Sequence, residues 1–350
     1  MKKKILYIVE VLVLLLVALA CVYFFMISDV KGDKSIDFNI EAGNVSSTVI
    51  ANLKESELIR SEFFAKVVVK LNSDLIIKAG NYKLNQDMSV KDILEVFDKG
   101  NPSGEVIRLT FKEGKRVVDY LKIIADNTDL VYDDLVKEVN DKKFIKELIE
   151  EYWFLTDDIL DDNIYYALEG YLFPSTYEFY KNSNIEDMIR VILNHTKNVL
   201  ESLEGLDKSE FSVHEVFTLA SMIESEAKTL EDRKGVSGVF INRLNSGWTL
   251  GSDVTTYYAV GKDFVDGLTM DDLNSCDNFY NTRCSSLGGL PIGPVDNPGK
   301  DSIDAAINPS VSSYMYFVAD CKGKTYFNVN ESGHVQIINK LRSEGNWCEK

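Results

Sequence analysis

Two glutamates stand beside the apolar face of a predicted helix that contains the sequence LASMIESEA. At 100° per residue, the apolar side chains of residues 213–230 fall on one face, and Glu224 and Glu226 lie on its two flanks. A carboxyl group held against an apolar wall resists ionisation and can serve as a general acid near neutral pH. The alternative is a solvated face on which Glu224 pairs with Lys228 one turn later. Helix geometry alone does not separate the two glutamates.

The predicted helix belongs to an ordered series of short motifs that extends over most of the chain. In chain order they are LEGYLFP at 168–174, the helix itself, VFINRL at 239–244, LGSDVTTYY at 250–258, YNT at 280–282, GGLPIGP at 288–294, NPG at 297–299, YMYFVA at 314–319 and His334. The glycines and prolines of this series fix turns between the predicted elements. The predicted helix that carries Glu224 and Glu226 is therefore followed by loops with a defined backbone conformation.

This series resembles the YceG-like, or MltG, family of membrane-anchored endolytic murein transglycosylases, from about residue 36 to residue 340. The chain departs from the family pattern at four positions: Ser175 stands where Asp is usual, Arg283 where Tyr is usual, Ile292 where Pro is usual, and Gly333 where Glu is usual. None of these departures falls on the helix. The resemblance implies that Glu224 is the catalytic acid/base.

Seven further residues are candidates for substrate binding: Asp253, Thr255, Tyr280, Asn281, Thr282, Pro291 and His334. An aromatic ring and nearby hydrogen-bond donors suit a sugar ring. Each of the seven also has a structural interpretation. Asp253 suits the start of a turn or helix, the polar loop residues suit self-bonded turns, Pro291 fixes a loop, and a lone histidine near a terminus is often structural.

The predicted reaction needs only one carboxyl group. Cleavage of a glycosidic bond requires a proton on the leaving oxygen, and a water-using enzyme normally adds a second carboxylate. A lytic transglycosylase uses the C6 hydroxyl of the muramic acid instead, and the same Glu then accepts that proton. The resemblance thus implies cleavage of the MurNAc–GlcNAc bond of nascent peptidoglycan, with 1,6-anhydro-MurNAc ends that terminate elongation. The alternatives are a glycan-binding scaffold without activity and a muramidase that uses Asp253 to activate water.

The first residues predict a membrane anchor. The apolar stretch 5–27 carries one charge and is long enough to span a bilayer, and Lys2, Lys3 and Lys4 precede it. The positive-inside rule then places the N-terminus in the cytoplasm and the remaining chain outside the cell membrane as a single-pass protein. A cleaved signal peptide is the rival interpretation, and the continued apolar run after Cys21 argues against it.

The predicted fold class is α+β: an N-terminal transmembrane helix, a LysM-like α/β subdomain and a mixed α+β catalytic domain. The predicted boundaries are 1–4 for a cytoplasmic tail, 5–27 for the span, 28–35 for a tether, 36–104 for the LysM-like part, 105–164 for a strand–helix and acidic helical connector, and 165–350 for the catalytic domain. The LysM-like assignment comes from the resemblance. Its role is either glycan binding or spacing.

The net charge and the numbers of histidines and cysteines limit which binding partners and metal sites the chain can have. The net charge of −17 repels nucleic acid, so a DNA or RNA partner is excluded, and no cofactor is expected. The three scattered histidines and the absence of Cys-x-x-Cys predict no metal site. Outside the cell the cysteines can pair: Cys276 with Cys284, and Cys321 with Cys348, is one of three pairings, with free thiols as the alternative. The resemblance implies peptidoglycan glycan strands and cell-wall synthases of the elongation or division machinery as partners.

Overall fold

The computed structural model describes residues 2–40, 44–72, 75–78, 80–100, 106–181 and 183–348. The chain forms two compact units. Unit 1 comprises Met1–Ile107 and Phe179–Asn184, and unit 2 comprises Arg108–Glu178 and Ile185–Lys350. Parts of the predicted LysM-like subdomain, namely 41–43, 73–74, 79 and 101–104, lie outside the described residues. Its assignment stays a prediction.

Unit 1 has an antiparallel strand pair covered by short helices. Its elements are α1 (Lys2–Ile27), β1 (Ser35–Ile40), α2 (Ser46–Glu55), α3 (Glu62–Leu71), β2 (Gly80–Asn85) and α4 (Val90–Lys99). In the strand pair, Ile36 lies opposite Leu84 and Phe38 opposite Tyr82. The apolar faces of α2, α3 and α4 form one core with these strands. Within the described residues, no helix has the length and apolarity required to cross a membrane.

Serine side chains cap two of the helices in unit 1. The Ser61 hydroxyl accepts the Phe64 N–H at the start of α3, and Ser89 forms a reciprocal capping box with Asp92 at the start of α4. Helix α2 has no such cap, because Val45 occupies its N-cap position and gives no side-chain hydrogen bond.

Unit 2 is mostly helical. After β3 (Val106–Thr110) its elements are α5 (Val117–Asn127), α6 (Tyr132–Glu138), α7 (Lys142–Glu151), β4 (Thr176–Tyr180), α8 (Ile185–Glu201), α9 (Val213–Glu226), α10 (Leu230–Asn245), α11 (Asp253–Ala259), α12 (Met270–Leu273), α13 (Lys300–Ile307), β5 (Tyr316–Ala319), β6 (Thr325–Asn328) and α14 (Glu331–Ser343). The described strands pair as β3 with β4 and, antiparallel, as β5 with β6. The predicted mixture of helices and small sheets is confirmed.

Helix α9 is the central element of unit 2, and α10 and α13 pack against it. Its start is fixed by a capping box between Ser212 and Glu215. His214 and every residue from Val216 to Ile223 are buried, whereas the three residues that follow are only partly covered. The core therefore surrounds most of α9 and leaves its C-terminal turn, which carries Glu224, accessible at the edge.

Candidate active site

Glu224 lies where the end of α9 meets the beginnings of α10 and α13, and only 6 % of its side chain is exposed. Its Oε1 accepts a hydrogen bond from Arg233 Nη2 at 2.7 Å. Its Oε2 accepts one from the Gly299 N–H at 3.0 Å and one from the Ser302 hydroxyl at 2.8 Å. All three partners donate, so both carboxyl oxygens of Glu224 act as acceptors in this arrangement.

A break in the chain after α9 creates this arrangement. The periodic pattern of residues 213–230 predicts one continuous helix, but α9 ends at Glu226 because Ala227 adopts an extended backbone with φ −138° and ψ 150°. Thr229 then caps α10 by accepting the Asp232 N–H. The turn brings Arg233 back toward Glu224, and its Nε donates to the Ala227 carbonyl at 3.1 Å. The guanidinium is therefore held on both sides of the break.

Two more carboxyl groups stand close to Glu224. Burial and the Glu224 charge raise the pKa of Glu113, while Arg233 opposes the rise. Burial raises the pKa of Asp296 well above its usual range, although the Ser225 hydroxyl donates to its Oδ2 at 2.8 Å. Among the described residues, Asp296 Oδ1 has no hydrogen-bond partner. Within the same residues, no group of three His, Cys, Asp or Glu side chains is arranged to hold a metal ion.

The segment 294–299 attaches the neighbouring loops to the site. Asn297 donates from Nδ2 to the Lys115 carbonyl at 2.9 Å and accepts the Leu172 N–H on Oδ1 at 3.0 Å. It also donates to Glu169, a buried glutamate whose pKa is raised to about 8 by burial. The loops before α5 and β4 are thereby fixed to the segment that precedes α13. The NPG motif thus connects the loops that surround the site through the hydrogen bonds of Asn297.

Asp253 is the first residue of α11, and its carboxylate pairs with the Arg283 side chain, whose Nε lies 2.8 Å from Asp253 Oδ1. About half of the Asp253 side chain is exposed. Arg283 is one of the positions at which the chain departs from the family pattern. The departure therefore supplies a counter-ion to Asp253, and the substrate-binding role of Asp253 stays a prediction.

Four other predicted substrate-binding residues are buried, and their polar groups have protein partners. Thr255 and Thr282 bond each other through their hydroxyls at 2.8 Å, and Thr282 also accepts the Ser252 N–H. Asn281 bonds the Thr256 hydroxyl and donates to the Leu273 and Ser275 carbonyls. The Tyr280 hydroxyl accepts the Tyr165 N–H at 3.3 Å. These contacts fix the loop, and a sugar contact through the same groups would require some of them to break.

Pro291 is buried in the loop that follows, next to Ile292, whose carbonyl bonds His214 Nε2 at 2.7 Å. His334 lies elsewhere, on α14, with its ring centroid 5.3 Å from that of Tyr316. Burial, and secondarily the nearby Arg243 charge, lowers the pKa of His334. Its role in substrate binding stays a prediction.

We use the name Trp248 surface for the aromatic patch formed by Trp248, Tyr316 and His334 together with Arg243. The Trp248 and Tyr316 rings meet edge to face at 5.9 Å, and the Arg243 guanidinium lies over Tyr316 at 5.6 Å. Trp248 is 45 % exposed. An exposed indole with polar neighbours is the type of surface on which sugars stack.

Both disulfides of the predicted pairing are present: Cys276 is bonded to Cys284, and Cys321 to Cys348. The first closes the loop that carries Tyr280–Thr282. The second joins the turn after β5 to the C-terminal segment after α14. Cys21 is a free and exposed thiol.

Sequence reasoning missed four residues around Glu224, namely Glu113, Arg233, Asp296 and Ser302. Arg233 follows Glu224 by nine residues, a spacing that matches no single helix face, so only the chain break brings the two together. Ser302 and Asp296 flank the NPG motif that the sequence singled out only for loop geometry. The available signal in the sequence was the pair of aspartates, Asp296 and Asp301, on either side of the NPG motif.

Comparison with known proteins agrees with this architecture. The sequence profile described as the YceG-like family matches residues 38–340. A Bacillus subtilis protein named endolytic murein transglycosylase is 33 % identical over 315 residues, which is 89 % of this chain and 86 % of that protein. A Streptococcus pneumoniae protein of the same name is 30 % identical over 324 residues, 87 % of this chain and 58 % of that protein.

A solved crystal structure gives the same result for the fold. It is described as a YceG-like protein of Listeria monocytogenes, and it is 33 % identical with a TM-score of 0.61. The match covers 87 % of this chain and the whole of the other chain. The matched range of the profile covers residues of both units, and position 224 lies within it. The chain belongs to the YceG-like family.

Proposed function

We propose that this protein is an endolytic murein transglycosylase that cleaves the MurNAc–GlcNAc bond inside nascent glycan strands of peptidoglycan. The relatives named above carry the activity in their names. The observation that carries the proposal is the carboxyl group of Glu224, nearly buried and held by donors from α10 and α13. Among the neighbouring carboxyl groups, Glu224 is held by three donors, and the proposed reaction needs one carboxyl group in a fixed position.

The proposed reaction uses Glu224 twice. First, Glu224 gives its proton to the bridging oxygen, the bond from C1 of MurNAc to that oxygen breaks, and positive charge develops at the sugar. The C6 hydroxyl of the same MurNAc then bonds to C1 and returns its proton to Glu224. The products are a free GlcNAc hydroxyl and a 1,6-anhydro-MurNAc end, with no water consumed. Intramolecular attack gains effective concentration over free water.

The three donors around Glu224 suit the stage of the reaction at which Glu224 has given up its proton. Arg233, Gly299 and Ser302 all donate to Glu224, and this pattern stabilises the carboxylate that exists after the first proton transfer. At the beginning and end of the cycle Glu224 carries the proton. Ser302 can then turn its hydroxyl and accept from Oε2. Arg233 keeps Oε1 as an acceptor but no longer faces a negative charge on Glu224, so a neighbouring carboxylate can attract it at that stage.

Glycan binding is proposed for the Trp248 surface. Its exposed indole offers a face for a sugar ring, and Arg243 offers donors for a carboxylate or carbonyl of the substrate. Arg243 donates from Nη1 to the Leu250 carbonyl, and the motif that begins at Leu250 continues to Ser252, which donates to Glu226 at 2.8 Å. The surface is therefore connected through one short segment to the end of the helix that carries Glu224.

Membrane anchoring through residues 5–27, with the catalytic part outside the cell, remains a proposal that rests on the sequence. The side chains of residues 2–10, 12 and 14 lie outside the described part of the structure. An anchored enzyme would meet strands as synthases of the elongation or division machinery release them. The acidic surface of the chain is consistent with a partner other than nucleic acid.

A water-using muramidase is the second candidate, because carboxyl groups of Glu113 and Asp296 adjoin Glu224 and a second carboxylate is what such an enzyme needs. A scaffold without activity is the third. The experiment that separates activity from scaffolding compares the wild type, Glu224→Gln and Glu226→Gln on uncrosslinked glycan strands. Glu226 is the matched control, a carboxyl group two residues away on the same helix.

We expect Glu224→Gln to lose cleavage by at least about a thousandfold while it keeps glycan binding and the circular dichroism of the wild type. Glu226→Gln should retain cleavage. Turnover by a folded Glu224→Gln protein would refute the assignment. Loss in Glu226→Gln alone would transfer the role to Glu226.

A further inference from the structure

Arg233 stands between two carboxylates. Its Nη2 is 2.7 Å from Glu224 Oε1 and 4.0 Å from Glu113 Oε2. The Arg233 side chain is 9 % exposed, and its Nε is fixed by the Ala227 carbonyl. A small movement of the guanidinium toward Glu113 therefore exchanges one carboxylate partner for the other.

The backbone around Glu113 is shaped to bring its carboxylate to this position. A Cβ on Gly299 would come within 2.2 Å of Glu113 Oε1, so the missing side chain at Gly299 leaves room for Glu113. Gly299 has φ −78°, which any residue adopts, and the backbone conformation therefore does not require glycine. Gly114 has φ +67°, and its own Cβ would touch Glu224 Cγ at 3.5 Å. The turn that carries Glu113 thus packs directly on Glu224.

Charged groups reach this cluster from each neighbouring element. Arg233 comes from α10, Asp301 from the first turn of α13, and Asp296 from the segment before α13. The burial of Glu113, the Glu224 charge and the Asp301 charge raise the pKa of Glu113. One guanidinium therefore serves a crowded set of carboxyl groups, and Glu113 and Glu224 compete for it.

We infer that Glu113 is a positioning residue that controls the protonation of Glu224 by taking Arg233 away from it. The inference rests on the proposed function. When Glu224 carries its proton, the Arg233 guanidinium pairs with the Glu113 carboxylate. When Glu224 has given its proton to the leaving oxygen, Arg233 returns and stabilises the new carboxylate. Arg233 keeps its own protons throughout, and Glu113 does not touch the substrate.

The test is the pH profile of kcat/KM, measured with the full chain in detergent on uncrosslinked glycan strands. Glu113→Gln removes the alternative partner, so Arg233 stays on Glu224 and stabilises its ionised form. The alkaline limb should move to lower pH, and kcat/KM above that limb should fall by about tenfold. Glu113 is half exposed, and water screens its charge, so we expect a shift of the alkaline limb at the lower end of the range that a neighbouring charge can cause.

Glu231→Gln is the matched control, because Glu231 is an exposed carboxyl group at the beginning of the same helix as Arg233. The alkaline limb of its kcat/KM profile should lie at the same pH as that of the wild type. An unmoved limb in Glu113→Gln, a uniform loss of rate at all pH values, or complete inactivity would overturn the inference, because a structural role predicts those results. Absence of anhydro products from the wild type would instead overturn the proposed function, so the two failures are distinguishable.

Discussion

Replacing Glu169 by glutamine should remove a pH-dependent loss of stability from unit 2. Glu169 is 1 % exposed, and its oxygens accept hydrogen bonds from the Val117 N–H at 2.8 Å, Asn297 Nδ2 at 3.2 Å and the Tyr258 hydroxyl at 3.1 Å. Burial outweighs these donors and raises the pKa of Glu169 to about 8. The folded protein therefore keeps this carboxyl group protonated at pH 7.

The sign of the effect follows from proton binding. In the unfolded chain Glu169 ionises around its ordinary pKa of 4.5, whereas the folded protein holds the proton until about pH 8. Between these values the folded state binds more protons, so the free energy of unfolding falls as the pH rises. At 1.36 kcal/mol for each pH unit, the total loss from 4.5 to 8 is about 5 kcal/mol. Above pH 8 the contribution is constant.

Glutamine resembles the protonated acid in shape. Its oxygen can accept from Val117 and Asn297, and its amide can donate to the Tyr258 hydroxyl, which leaves one amide hydrogen unpaired. We expect Glu169→Gln to be about 1 kcal/mol less stable than the wild type at pH 5. At pH 8.5 it should be about 4 kcal/mol more stable, because only the wild type has lost the linkage term.

Urea unfolding followed by tryptophan fluorescence measures this difference. Trp153, Trp248 and Trp347 all belong to unit 2, so the signal reports the unit that contains Glu169. Glu231→Gln, on an exposed side chain, is the control and should follow the wild type. Parallel stability curves for the wild type and Glu169→Gln between pH 5 and 8.5 would show that burial does not keep Glu169 protonated.

Three further predictions concern the disulfide loop, the Trp248 surface and the N-terminus. Replacing Cys276 and Cys284 together by serine should lower the free energy of unfolding by about 2.5 kcal/mol, from the entropy of the short loop; urea unfolding without reductant checks it, and an unchanged midpoint contradicts it. Trp248→Ala should raise KM about tenfold at constant kcat, whereas exposed Trp153→Ala should not; equal KM values for all three proteins would exclude stacking. Removing residues 1–27 should transfer the protein from the membrane fraction to the supernatant, and full-length protein found in the supernatant would refute the anchor.

The local elements could be predicted from the sequence because their signals are local. Ser61 and Ser89 mark helix starts by their own hydrogen bonds, and the alternation of residues 36–40 marks a strand. The same kind of local pattern is present in the strands Tyr316–Ala319 and Thr325–Asn328, which pair in the structure. Helix boundaries of this type depend on side chains within one turn.

The break after Glu226 could not be predicted, since the apolar period continues through Ala227 to Leu230 without glycine or proline. The extended backbone at Ala227 is set by tertiary contacts, including the bond from Arg233 to its carbonyl. The cluster of Glu113, Glu224 and Arg233 likewise depends on contacts between distant segments. Local pattern therefore identified the helix and its two glutamates, and the family resemblance selected Glu224. The residues that surround Glu224 required the structure.

The loop residues 280–282 show a second limit of prediction from sequence. Tyr280, Asn281 and Thr282 have side chains suited to a sugar, and the same groups suit a self-bonded turn. In the structure they are buried and bonded to the protein. Residue type fixes which bonds a side chain can form, and only the fold decides which partners are near.

The most direct test of the central claim is the mass of the new glycan ends. Uncrosslinked strands are incubated with the full chain or with Glu224→Gln, and the fragments are weighed by mass spectrometry. The expected result is fragments one water lighter than hydrolysis products, with none from Glu224→Gln, because the C6 hydroxyl rather than water forms the new bond to C1. Fragments of full hydrolytic mass would contradict it and show that a second carboxylate activates water at this site.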